Sequence, residues 1–169
     1  MTTWRHGTLL VVALIAVVTL GLQGCRRAPR VTEVSVFFTR AEGTAFTVAA
    51  VHRHAAGTGM TDRLRGAFEA LLAGPTELER GQGLSTAIPP GTKLRNVRVE
   101  DGIVWADFSP ELDTGGGSAS MLGRFWQIVY TATQFADAPQ VRILIEGEAR
   151  DTLGGEGVII EGPVARPQT

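Results

Sequence analysis

A chain of 169 residues with a formal net charge of -1, 44% hydrophobic residues and one cysteine carries no basic surplus, which argues against a nucleic-acid partner. The lone cysteine also excludes an internal disulfide. The first 24 residues differ from the rest. Trp4, Arg5 and His6 give a short polar, basic start, and residues 9–22 are apolar except for Thr19 and Gly21. Such a run is shorter than the roughly 20 apolar residues of a comfortable membrane span. It suits the apolar core of a secretion signal.

The run ends in Leu22-Gln23-Gly24-Cys25. This resembles the bacterial lipobox, an apolar residue and two small positions before an obligatory cysteine, with Gln23 larger than the usual occupant. Cys25 is therefore the expected lipid attachment site, residues 1–24 the signal peptide and residues 25–30 the lipidated tether. A single myristoyl-sized chain holds a membrane weakly; the lipobox resemblance implies two or three acyl chains. Acylation also removes a free thiol that an oxidising compartment would attack. The alternative is an uncleaved anchor in which Cys25 is incidental. The expected location is the cell membrane or outer membrane, lipid-anchored on the extracytoplasmic side. Without residues 1–24 the chain keeps 15 basic and 17 acidic residues and has the size of one domain.

Residues 31–53 predict two strands joined as a hairpin. Val34, Val36 and Phe38 alternate with Glu33, Ser35 and Phe37, and Phe46, Val48 and Ala50 alternate with Thr47, Ala49 and Val51. Residues 40–43 supply the turn. Thr61 is the expected cap of a first helix, with Asp62 favourable in its first turn. Leu64, Ala67, Phe68, Leu71 and Leu72 follow helical spacing, and Gly74-Pro75 ends the run. Residues 76–92 read as irregular, with Leu84 and Ile88 tucked into the core. Residues 94–100 and 103–108 predict a second hairpin about Asp101-Gly102, a type I′ turn signal. Gly115-Gly116-Gly117 forms a loop, and Ser118 or Ser120 is expected to cap the longest helix, which runs to about Phe135. Met121, Leu122, Phe125, Ile128, Val129 and Ala132 form its apolar stripe, widened by Trp126 and Tyr130. Residues 140–146 predict a strand, and residues 158–160 a final short one. The order β-β-α-β-β-α-β predicts an α+β fold, a two-layer sandwich of a mixed, mostly antiparallel sheet with two helices.

Several segments together resemble the GerMN domain of sporulation and germination lipoproteins. They are AFEALLAGPT at residues 67–76, LSTAIPPGTKL at 84–94, VEDGIVWADFS at 99–109, QIVYTATQF at 127–135 and VRILIEG at 141–147. The LSTAIPPGTKL segment is the most specific of them, and the combination exceeds any single piece. The resemblance places a GerMN-like domain at residues 31–162, followed by a flexible tail at 163–169. It implies a non-catalytic domain, related to ring-building motifs of envelope complexes, that acts by packing against other proteins. One such domain is present where the sporulation example has two, so the role need not be shared. Physically, Pro89-Pro90-Gly91-Thr92 reads as a rigid turn, and Asp107 as an acceptor for backbone donors of the loop after it.

Reactive constellations are absent from the sequence. Gly116-Gly117-Ser118-Ala119-Ser120 lacks the last glycine of a nucleophile elbow. His52 and His54 share a strand face but supply two ligands where zinc needs three, and they read as an exposed strand-end pair. Asp107, Glu111 and Asp113 lack the calcium-loop pattern. Residues 153–157 lack the lysine of a phosphate loop and read as a turn. The aromatic set Trp105, Phe125, Trp126 and Tyr130 reads as core, with Trp105 the candidate partner contact if it faces outward. The sequence thus predicts no catalytic, metal or cofactor site. It predicts an envelope lipoprotein acting as a protein-interaction or scaffolding module, with envelope proteins or a second copy of itself as partners. The alternative is a lipoprotein that binds a small ligand or peptidoglycan.

Overall fold

The computed structural model describes residues 30–154 and 157–167. The signal peptide, Cys25 and all of the tether but Arg30 lie outside the described residues. The chain opens with a long hairpin, β1 (Val31–Glu42) and β2 (Ala45–Ala56), paired antiparallel along its whole length. Its turn at Gly43 and Thr44 is tighter than expected, and Gly43 takes the positive φ of 61° that the turn requires.

Helix α1 (Met60–Ala73) buries Leu64, Ala67, Phe68 and Leu71, the stripe that its spacing predicts. Its N-cap is Gly59, without a side-chain cap bond; Thr61 lies inside the first turn, so the expected cap is corrected. Gly66 sets how closely α1 approaches β2. A Cβ there would stand 2.5 Å from the Ala55 Cβ, inside van der Waals contact. Gly74 ends the helix with a φ of 78° and donates its N–H to the Leu71 carbonyl.

The stretch after α1 is more ordered than expected. Thr76 and Glu79 form a capping box at a short helix, α2 (Glu77–Gly81). Then β3 (Leu84–Ser85) joins β1, completing a sheet of order β2-β1-β3. The second hairpin, β4 (Leu94–Glu100) and β5 (Ile103–Phe108), turns at Asp101 and Gly102 with φ of 51° and 76°. A 3-10 turn (Pro110–Asp113) leads to α3 (Ser118–Ala132), whose N-cap is Gly117 without a side-chain cap bond. Neither Ser118 nor Ser120 caps it. α3 is the crossover that makes β6 (Gln140–Ile145) parallel to β5. Four short strands follow: β7 (Glu148–Ala149), β8 (Thr152–Leu153), β9 (Val158–Ile159) and β10 (Val164–Ala165). The second sheet has the order β10-β6-β5-β4 with β7 also on β6, and β8 pairs β9 separately.

The fold is therefore α+β with mostly antiparallel pairing, its strands divided between two principal sheets. α1 packs against both of them, on β1, β2 and β4, and against α3. Val36, Phe38, Leu64, Phe68, Val104, Phe108 and Ile128 are fully buried between these layers. The Phe68 and Phe108 rings meet edge-on at 5.5 Å. Each such side chain contributes about 2 kcal/mol relative to exposure. β10 corrects the expected free tail from residue 163: Val164 and Ala165 pair with Val141 and Gln140, because the outer edge of β6 offers backbone groups that need partners.

Candidate partner-binding surface

Helix α3 carries a polar row inside its apolar surface. Gln127 and Thr131 are fully buried, and Gln134, in the turn just past the end of α3, continues their line. The row faces the edge of β1 away from β2. Gln134 accepts the Ser35 N–H at 2.8 Å and donates to the Ser35 carbonyl at 3.0 Å. Thr131 accepts the Phe37 N–H at 3.2 Å, and Gln127 donates to the Phe37 carbonyl at 3.2 Å. Side chains thus stand where a neighbouring strand would supply backbone partners, satisfying groups that burial would otherwise leave unpaired. Beyond them β3 takes over at Thr39 and Arg40. Gly123 permits this approach: a Cβ there would lie 3.1 Å from the Ala87 Cβ and 3.3 Å from the Thr39 Cγ2.

Three arginines tie irregular chain to this frame. Arg124 is buried and donates to the carbonyls of Leu112, Thr114, Gly115 and Ala87. Burial pushes its pKa below the usual arginine value, with Asp113 opposing the shift. Arg142 donates to the carbonyls of Ile160 and Gly162 at 2.7 and 2.8 Å and to Asp151 at 3.0 Å. Arg166 donates to the Tyr130 carbonyl and to Thr133 Oγ1, and its guanidinium lies 4.9 Å from the centres of both the Phe37 and Tyr130 rings. Burial lowers its pKa also.

The signature turn of Pro89-Pro90-Gly91-Thr92 is closed by hydrogen bonds of its own. The Thr92 N–H and hydroxyl both donate to the Pro89 carbonyl, and Gly91 has a φ of 87°. Asp107 does accept a backbone donor, but from Gly147 at 2.8 Å, across the sheet at the end of β6. Asp113 likewise receives the Gly154 N–H. The Ser109 hydroxyl holds the Glu111 carboxyl below the usual carboxylate range. Asp107 and Asp113 thus close loops, whereas Glu111 Oε2 is buried without a hydrogen-bond partner. His52 and His54 are exposed on β2, with His52 Nδ1 3.3 Å from Glu33. Among the described residues no group of three or more His, Cys, Asp or Glu side chains is placed to hold a metal ion.

The aromatic set divides. Phe125 is buried, whereas Trp126 and Tyr130 are half-buried; the expectation of a shared core is corrected for these two. They form a chain of rings, Phe125 to Trp126 at 4.8 Å, Trp126 to Tyr130 at 5.9 Å and Tyr130 to Phe37 at 5.3 Å. Trp126 and Tyr130 face Phe46, Thr47 and Val48 across an open depression of about 300 Å³. A second depression of about 350 Å³ adjoins it through Phe46 and Trp126 and reaches Thr44, Ala119 and Leu122. Together they make one apolar groove between the free end of the first hairpin and α3. Glu111, Asp113, His52 and His54 line neither part. Trp105 lies elsewhere, on the outer face of β5, half-buried beneath the Arg98 guanidinium at 4.8 Å, with its Nε1 buried and unpaired.

Comparison with known proteins gives a consistent picture. The family model described as "Germane: Sporulation and spore germination" matches residues 35–151. No curated protein matches the chain. Among solved structures, the tandem GerMN domains of the sporulation protein GerM from Bacillus subtilis align with a TM-score of 0.64 at 21% identity over 86% of this chain. This chain spans about half of that structure, 49% of its length. The first GerMN domain of the same protein aligns with a TM-score of 0.60 at 19% identity, over 80% of this chain and 98% of the domain. A candidate lipoprotein from Clostridium perfringens aligns with a TM-score of 0.58 at 20% identity, over 80% of this chain and 88% of its own. At these identities the alignments establish the fold.

Proposed function

The chain belongs to the Germane family of sporulation and spore germination, and we propose on that footing that it is an envelope lipoprotein whose single GerMN-like domain is a non-catalytic interaction module. The observation that carries this reading is the open aromatic groove of Phe46, Trp126 and Tyr130. Half-buried tryptophan and tyrosine combine large apolar contact area with little rotamer entropy, and they are favoured where binding energy concentrates. Gln127, Thr131 and Gln134 are spent on the edge of β1, and Arg124 and Arg142 chiefly on loop carbonyls. The anchoring part of the reading rests on the run at residues 9–22 and on Cys25, and it is compatible with a similar fold in a candidate lipoprotein. Among the described residues no helix is long and apolar enough to cross a membrane.

Two measurements test the reading. Cys25→Ser should move the protein from the membrane to the soluble extracytoplasmic fraction, and mass spectrometry of the native N-terminal peptide should show acylation at Cys25. An unmodified Met1 would sink the anchor. Trp126→Ala and Tyr130→Ala should each lower the thermal melt, since both rings pack on their neighbours, and should weaken recovery of bound protein from detergent-solubilised envelope even when equal amounts of folded variant and parent are compared. Equal recovery from all three would remove the groove from the function. The alternative, a small-ligand or peptidoglycan-binding lipoprotein, draws on the same rings, since aromatic faces also stack on sugars. Its signature is a saturable change in Trp126 emission on titration with peptidoglycan fragments.

A further inference from the structure

The two sheets leave their outer strands differently protected. β4, at the edge of the second sheet, carries Arg95, Arg98 and Glu100 within seven residues. Such charges blunt an edge against pairing with another chain. β2, at the edge of the first sheet, runs Ala45-Phe46-Thr47-Val48-Ala49-Ala50-Val51 without a charge, a proline or a glycine. Its hydrogen-bonding pattern follows from β1. Ser35 and Phe37 direct their N–H and carbonyl groups at α3, away from β2. Their register partners His52 and Ala50 therefore direct theirs away from β1, as antiparallel geometry requires. Alternate residues Phe46, Val48, Ala50 and His54 present open backbone donors and acceptors along this edge, His52 offers its N–H while its carbonyl accepts from Arg53 Nη1 at 3.1 Å, and among the described residues no strand covers them.

We propose that this edge pairs with β2 of a second copy, antiparallel about a two-fold axis through Ala50. The proposal deepens the interaction-module reading and rests on it. The register is self-complementary. Ala50 meets Ala50, Val48 meets His52 and Phe46 meets His54 on the groove face, while Ala49 meets Val51 and Thr47 meets Arg53 on the other. No charge faces a like charge, and the smallest side chains lie at the axis where the copies are closest. Two three-stranded sheets become one continuous sheet, closing both unguarded edges at once. His52 and His54 of one copy come beside Val48 and Phe46 of the other, at the mouth of the aromatic groove. The two-fold stands perpendicular to the sheet, so both N-terminal tethers can reach one bilayer when the paired strands lie along it.

The test uses the full-length lipoprotein. In isolated envelopes, Ala50→Cys should form a disulfide-linked dimer on mild oxidation, because Cα atoms of a hydrogen-bonded antiparallel pair lie about 5.5 Å apart, within disulfide reach. Its yield should exceed that of Leu78→Cys, an exposed control on α2, by on the order of 10-fold, the contrast between a fixed pair and random collision. Ala50→Lys and Ala50→Glu should each sediment as monomers in detergent with unchanged melting, and an equal mixture of the two should restore the dimer by opposing unlike charges at the axis. Ala50→Cys crosslinking no better than the control overturns the pairing, as does an adduct with a different protein, or a dimer indifferent to Ala50→Lys. The parent chain separates this from failure of the anchor: if its own Cys25 crosslinks, or the protein is absent from the membrane fraction, the anchoring reading fails while the Ala50 comparison stays readable.

Discussion

Gln127 shows how one residue can decide what a helix does. It lies fully buried in the most apolar of the described helices, accepting the Ala87 N–H at 2.7 Å and donating to Phe37 and Thr86. Gln127→Leu keeps the volume and removes every bond, leaving a buried amide and carbonyl unpaired. The expected loss is about 2 kcal/mol of unfolding free energy by denaturant titration. Arg124→Met should cost more, about 3 kcal/mol, because four carbonyls lose a charged donor together. Arg124→Lys should recover little of it, since an ammonium cannot span that fork of acceptors. Neither residue was legible as a seal in the sequence. A polar residue on an apolar stripe reads as a tolerated interruption until the strand edge opposite is known.

At the scale of elements, local chemistry was legible and long-range placement was not. Both hairpins, α1 and the type I′ turn at Asp101-Gly102 follow from alternation, helical spacing and turn residues within a dozen positions. The caps expected at Thr61 and Ser118 failed because the helices begin at Met60 and Ser118, which puts Gly59 and Gly117 at the N-cap positions. α2 escaped notice although Thr76 and Glu79 carry the capping-box spacing; five residues give too little periodicity to announce a helix. Trp126 and Tyr130 looked like core because spacing reports which residues share a helix face and is silent on what covers that face. Two measurements probe the elements. Glu79 binds Arg53 through two hydrogen bonds of 2.7 and 2.6 Å and closes the capping box, and the Arg53 bond above all lowers its pKa from 4.5 to about 2. A carboxyl depressed in the folded state stabilises above its unfolded pKa and loses that contribution as pH falls through the folded value. Glu79→Gln should therefore be less stable than the parent near neutrality, by about 1 kcal/mol, and the gap should close between about pH 4.5 and pH 2. Gly66→Ala should push α1 off β2 and cost stability despite alanine's better helix propensity, whereas Gly81→Ala, with nothing within 4 Å of the added methyl, should be neutral or mildly stabilising.

For the molecule as a whole, the second sheet is completed from the far end of the chain. Ending the chain after Gly162 removes β10 and Arg166 together, uncovering the edge of β6 and the stacked rings of Phe37 and Tyr130. The truncated protein should melt lower and exchange its β6 amides faster, by hydrogen exchange, than those of β1. The arginines that fasten the molecule have a consequence for the medium in which it works. Arg124, Arg142 and Arg166 grip chiefly carbonyl oxygens, dipoles carrying no net charge to be masked by mobile ions. Counter-ions act over a Debye length of about 10 Å at 0.1 M and weaken exposed charge pairs first. A domain stitched by cations onto backbone dipoles should hold its melting temperature across wide swings of ionic strength, the constancy that the proposed envelope location would call for.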